Sequence, residues 1–240
     1  GCGHRPPCRP DRRQGSCRRR TIQGLFVTST GTGIGKTYVT ASLVRGLAAQ
    51  GRAARALKPV ISGWDGDDAA AVAASDTGQL LAAQGVDAAP DAIAACSPFR
   101  FKAPLSPDMA AAREGLGIDF DRLVGFCRQE IENTPKGTAL FIEGVGGVMV
   151  PLTRDKTVLD WMAALDLPVL LVVGSYLGTI SHTLTAVLAL RSKHIPIRAI
   201  VISESEDSPV PCEETAEVLK RHLAGAVEIV QRDAEIEIIL

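Results

Sequence analysis

A glycine-rich turn that ends in a lysine and a threonine, Ser29-Thr30-Gly31-Thr32-Gly33-Ile34-Gly35-Lys36-Thr37, follows the apolar run Phe26-Val27 and opens an amphipathic stretch. Such a turn suits an anion. Small residues let successive backbone N–H groups converge, the helix behind presents its positive end, and a lysine in its first turn reaches the outer phosphates of a nucleotide. The Thr37 hydroxyl is placed for a magnesium ion. The strict pattern has glycine five positions before Gly35, where Thr30 stands, so this is a variant phosphate-binding loop.

Two further groups carry chemistry. Lys58-Pro59-Val60-Ile61-Ser62-Gly63 leaves an apolar run and sets a lysine and a serine where ligands gather in α/β sheets. Glu143 directly follows the apolar run 138–142 and precedes Gly144-Val145-Gly146-Gly147. A carboxylate there reads as a second magnesium-site ligand, with glycines that permit a ligand's close approach. His182 lies one turn into a helix, where packing or capping is the expected role. No Gly-x-Ser-x-Gly elbow is present, so serine hydrolysis is not supported.

Short apolar runs alternate with helical patterns from residue 24, which predicts parallel strands joined by crossover helices. Strands are expected at 24–28, 54–59, 138–142, 168–173, 197–202 and 226–230. Helices are expected at 36–50, 75–84, 119–132, 157–165 and 212–223, with a short alanine-rich one after Pro107. The stretch 97–107 reads as a proline-punctuated loop. A helix starting near Gly178 would bury Ile180, Leu184, Val187 and Leu188.

The chain has 240 residues with 26 Lys and Arg against 27 Asp and Glu, a near balance that hides an asymmetry. Seven arginines and one acid lie in residues 1–20, a segment without aliphatic side chains that is expected to be a disordered basic extension. The remainder, 21–240, is expected to form one domain. It is mildly acidic, and aromatic residues make up 4%, so a nucleic-acid partner is not expected. The longest apolar run, 167–174, is too short to span a bilayer. Six cysteines at no metal-ligand spacing fit a reduced, cytoplasmic compartment.

Five separated stretches, in order, together resemble the dethiobiotin synthetase family: the loop ending Gly35-Lys36-Thr37; Lys58-Pro59-Val60 with Ser62-Gly63; Ser75-Asp76; Glu143 to Gly147; and Leu167-Pro168-Val169 through Leu177-Gly178 to His182. The resemblance implies a three-layer P-loop NTPase fold, an α/β architecture with a mainly parallel central sheet flanked by helices. It implies an ATP- and Mg2+-dependent ligase that joins CO2 to 7,8-diaminononanoate through a carbamate and a carbamic-phosphoric anhydride. Lys58, Lys36 and Thr32 would be catalytic. The nucleotide would meet Gly33, Ile34, Gly35, Lys36, Thr37 and Tyr38, then Asp76, Glu143, Gly144, Val145 and Gly146, with Ser203 near the base. Thr37, Asp76 and Glu143 would surround the metal. Ser62 and Gly146 would face the diamine, and the loop Gly178-Thr179-Ile180-Ser181 would hold its carboxylate across a homodimer with a shared site. Ser203 stands where many members place an adenine-recognising asparagine, so a relaxed base preference is one expectation. A related P-loop ATPase, or a nucleotide-binding module without synthetase activity, is the alternative.

Overall fold

The computed structural model describes residues 24–206, 208–223 and 228–231. The basic extension expected over 1–20 lies outside them. Eight strands, β1 (Gly24–Ser29), β2 (Ala54–Leu57), β3 (Val60–Ser62), β4 (Phe99–Phe101), β5 (Ala139–Glu143), β6 (Val169–Val173), β7 (Ile197–Ile202) and β8 (Glu228–Gln231), form two sheets among the described residues. The main sheet runs β2-β5-β1-β6-β7-β8 with every neighbouring pair parallel.

Period-two alternation puts a different helix layer on each face. Leu25, Val27, Leu170 and Val172 pack with Val39, Leu43 and Leu47 of α1 (Lys36–Ala49) and Leu80 of α3 (Asp76–Ala83). On the other face Phe26, Val169, Leu171 and Val173 pack with α6 (Phe120–Asn133), α7 (Val158–Leu165), α8 (Thr179–Ser192) and α9 (Cys212–Leu223). A strand buried on both faces must be apolar at every position, which is why Val169–Val173 reads as a continuous run.

The second strand is shorter than its sequence suggests. After Leu57 the chain leaves the main sheet at Lys58-Pro59, and Val60–Ser62 pairs in parallel with Phe99–Phe101 in a separate two-stranded sheet. The stretch expected to be loop thus contains β4, whose Phe99 N–H donates to the Pro59 carbonyl. Two short helices also appear, α2 (Ala69–Ala74), capped by Asp68, and α4 (Pro90–Cys96), with proline in its first turn. The alanine-rich helix is α5 (Pro107–Arg113). In α8 the buried positions are Thr179, Thr183, Ala186, Val187 and Leu190, while Leu188 is 67% exposed. Of the expected stripe, Val187 is buried and Ile180 and Leu184 pack partly buried against the core, and only Leu188 faces outward; Thr179 and Thr183 share the inner face, with their hydroxyls satisfied on the carbonyls of Gly174 and Thr179.

Candidate active site

β1 lies between β5 and β6, so three strand ends open side by side. Register does the positioning: Val27 is opposite Glu143, and Leu57 is opposite Ile142, which brings Lys58 alongside Glu143. The loop after β1 turns into α1 through Gly35, whose φ of 100° is a left-handed conformation that favours glycine.

Gly144 and Gly147 also serve the packing of the turn itself. A Cβ on Gly144 would come within 2.9 Å of the Phe26 ring, and one on Gly147 within 3.0 Å of the Thr30 carbonyl. Their small size therefore lets the 144–147 turn lie against β1 and the phosphate loop. That turn is tied down by Gly144 N–H to Val27 O at 2.9 Å and Val148 N–H to Ser29 O at 3.1 Å.

At the centre is Lys58, 2% exposed. Its ammonium donates to Glu143 Oε1 at 2.7 Å and to the Gly144 carbonyl at 2.9 Å, and pairs with Asp76 Oδ2 at 2.7 Å. Burial pushes its pKa down, but the charges and hydrogen bonds of Glu143 and Asp76 together outweigh burial and raise it above the ordinary lysine value. For Asp76 burial pushes upward, and the charge and hydrogen bond of Lys58, helped by Thr37, hold the carboxyl below its usual value. Asp76 reaches this point because Ser75 caps α3, accepting from Gly78 N–H, which sets Asp76 in the first turn.

Lys36 points elsewhere. It donates to Ser29 Oγ at 3.1 Å and the Gly31 carbonyl at 3.3 Å. Burial, reinforced by the nearby charge of Lys58, lowers its pKa to about 8 against the pull of Glu143 and Asp76.

The residues present fit a magnesium ion. Thr37 Oγ1 lies 2.7 Å from Asp76 Oδ1 and 2.8 Å from Glu143 Oε1, yet one hydroxyl proton can serve only one of them. Glu143 Oε2 is buried with no hydrogen-bond partner. Hard oxygen donors converging beside an unsatisfied carboxylate oxygen suit Mg2+, which takes one or two protein carboxylates and completes its shell with phosphate and water. No cluster of three or more His, Cys, Asp or Glu that could hold a metal occurs among the described residues.

A cavity of about 680 Å3 opens over these groups, within the range of small-ligand sites. It is lined by Thr32, Gly33, Gly35, Lys36, Thr37, Tyr38, Lys58, Ser62, Asp76, Val145 and Gly146. The Ser62 hydroxyl is buried and unpartnered. The rest of the wall, Ile61, Gln79, Pro104 to Pro107 and Val150, had no assigned role in the sequence. Its signal was the proline punctuation of 97–107, a stretch that reads only as loop until β3 and β4 pair and bring it over the cavity.

A family model described as an AAA domain matches residues 23–238. ATP-dependent dethiobiotin synthetase BioD of Methylobacterium nodulans is 52% identical over 208 residues, covering 87% of this chain and 92% of its own length. The BioD enzyme of Acidiphilium cryptum is 53% identical over 202 residues, 84% of this chain and 88% of its own.

The chain belongs to the ATP-dependent dethiobiotin synthetase family.

As a dethiobiotin synthetase it is an ATP-dependent ligase of biotin biosynthesis. Among solved structures, the MinC:MinD cell division complex of Aquifex aeolicus matches with a TM-score of 0.51 at 15% identity, covering 90% of this chain and 84% of that one. A ParA family ATPase from Chlorobium tepidum matches at 0.50 and 13%, covering 90% and 87%. These two likenesses extend to the fold alone.

The remaining positions implied by the synthetase resemblance lie around this cavity or away from it. Ile34 packs with the α1 side of the core. Ser203 does not line the cavity; it stands behind the loop, where a Cβ on Gly35 would meet its Oγ at 2.5 Å. Gly178, Thr179, Ile180 and Ser181 also lie outside it, at the start of α8. Gly178 and Ser181 are exposed, and Thr179 is buried with its hydroxyl on the Gly174 carbonyl. His182 is exposed, bonded through Nδ1 to the Tyr176 hydroxyl at 2.9 Å. It borders a second groove of about 460 Å3 that shares Thr32 and Val150 with the first. No helix among the described residues is long and apolar enough to cross a membrane.

Proposed function

We propose that residues 21–240 act as one domain that converts 7,8-diaminononanoate, CO2 and ATP into dethiobiotin. The observation that carries this is the buried Lys58 ammonium, which lines the cavity while touching Glu143 and Asp76 beside the phosphate loop. Dethiobiotin synthesis needs a fixed cation next to a carbamate and a phosphate site within reach of it.

One amine of the diamine captures CO2 as a carbamate, whose anionic oxygens face Lys58 and the Thr32 and Ser62 hydroxyls. The carbamate oxygen attacks the γ-phosphorus of ATP and ADP leaves. Lys36 and the amides of Gly33 to Thr37 hold the phosphates in line, with Tyr38 at the loop's end, and stabilise the charge that spreads over them. The second amine then attacks the carbamoyl carbon of the mixed anhydride, phosphate leaves, and the ring closes. Thr37, Asp76 and Glu143 would hold Mg2+, which when bound neutralises phosphate charge. Val145 and Gly146, with Glu143 and Gly144 beneath them, form the wall between nucleotide and diamine.

The diamine's carboxylate is held by the first turn of α8, Gly178 to Ser181, from a second copy of the chain. The exposure of Gly178 and Ser181, and of Leu177 at 87%, supports such a homodimer. Ser203 serves the base side, and its short side chain supports a relaxed nucleotide preference. A cytoplasmic setting accords with three free, buried cysteines, Cys96, Cys127 and Cys212.

The test is product formation. Purified protein with the diamine, bicarbonate, Mg2+ and ATP should yield dethiobiotin by mass spectrometry, and Lys58→Ala should abolish it. Nucleotide binding without product would instead mark a nucleotide-binding module. Turnover with ATP, CTP and GTP at equal Mg2+ measures base preference, and a strong ATP preference would remove the relaxed reading.

A further inference from the structure

A lysine ammonium has three N–H donors, and Lys58 spends all three inside the protein: on Glu143 Oε1, on the Gly144 carbonyl and on Asp76 Oδ2. None is left for a carbamate. The same two carboxylates are the ones that fit a divalent cation together with Thr37. A metal ion held by Glu143 and Asp76 would sit close to an ammonium on Glu143 Oε1 and Asp76 Oδ2, and the two cations repel each other strongly. Lys36, the other cation nearby, gives its hydrogen bonds to Ser29 and Gly31 and acts on the carboxylates only by charge, without touching them.

We infer that Lys58 is the resident counter-ion of the metal site, and that metal binding exchanges it off Glu143 and Asp76 and thereby frees its donors for the substrate's carbamate. The ammonium compensates the charge of a carboxylate with no exposure, whose second oxygen is left without a hydrogen-bond partner. The exchange gives an order to events: the cation that activates phosphate releases the cation that holds the carbamate. Lys58 lines the cavity while its ammonium rests on the carboxylates, so it stands between the metal site and the space for substrate. The inference rests on the magnesium site proposed above, but its tests need neither diamine nor turnover. Dethiobiotin formed while Lys58 stays on Glu143, acting on the carbamate by charge alone, would overturn the exchange and leave the synthetase reading standing, so the two readings fail separately.

The first experiment titrates Mn2+ alone into the full chain and into Lys58→Met, reading free Mn2+ by electron paramagnetic resonance. Exchange predicts that removing the competing ammonium tightens Mn2+ binding by about tenfold or more. Equal, weaker or undetectable binding by a folded Lys58→Met protein overturns it. If that variant does not fold, the unaltered protein decides the matter. The Lys58 ammonium, assigned by through-bond correlation to its backbone, should give a slowly exchanging 15N-detected signal that shifts or loses protection on adding Mg2+. A signal unchanged at saturating Mg2+ overturns the exchange.

Discussion

Lys58 and Glu143 leave neighbouring parallel strands at the same level and meet at 2.7 Å, with 2% and 0% of their side chains exposed. Removing one partner strands the other's charge in a low-dielectric interior. Lys58→Met should therefore destabilise the metal-free protein by about 3–5 kcal/mol, and Lys58→Met/Glu143→Gln by clearly less than the two single changes summed. Urea unfolding of the four proteins in chelator measures the cycle, and additive losses would contradict a coupled pair.

Lys36 has a pKa of about 8, so near that pH a good part of it is neutral until phosphate arrives. Phosphate charge favours the protonated form and raises its pKa, so nucleotide binding should draw in about half a proton per site at pH near 8, and less as pH falls. Calorimetry in buffers of different ionisation heat reads the uptake directly. Absence of uptake at that pH, or proton release, would show that Lys36 is already charged in the free protein.

Gly78 sits where a Cβ would come within 2.1 Å of the Val72 carbonyl and 2.8 Å of the Ala73 carbonyl, both rigid backbone. Gly78→Ala must push α3 away from α2 and carry Asp76 with it. The expected result is a loss of about 1–3 kcal/mol in stability and weaker Mn2+ binding, with the loop residues untouched. A variant of normal stability and metal affinity would show that the elbow does not position Asp76.

Asp160 accepts from the Thr157 N–H and the Thr157 hydroxyl, both at 2.9 Å, at the start of α7, and pairs with Lys193 at 3.3 Å. Burial pushes its pKa up, but the Thr157 bonds and Lys193 outweigh this and lower it below 3.8. A lowered folded pKa means the stabilisation is full above the unfolded value and disappears as pH falls through the folded one. Asp160→Ala should cost about 1 kcal/mol at neutral pH, and the difference from the unaltered protein should shrink in acid. A difference independent of pH would place the effect in packing rather than charge.

The phosphate loop, the apolar strands and the helices α1, α3, α6, α7 and α9 were legible in the sequence because each is set by local pattern: period two, period 3.6, a cap, a glycine at positive φ. The acidic and basic residues of the site were legible as types at strand ends. Their meeting was not. Lys58 lies 85 residues from Glu143, and only the insertion of β5 between β2 and β1 puts them in contact. The small β3–β4 sheet escaped notice because three-residue strands carry too little periodicity, and it is their pairing that brings Pro104 to Pro107 over the cavity. The threonines of α8 escaped because a hydroxyl bonded to the preceding turn can be buried at little cost, which polarity alone does not reveal. Sequence thus determined which charged and hydroxyl groups of this synthetase stand at the strand ends and in the glycine-rich turn. Tertiary structure decided that one buried ammonium pairs with both carboxylates, because charge pairing in an interior depends on three-dimensional distance and not on spacing along the chain.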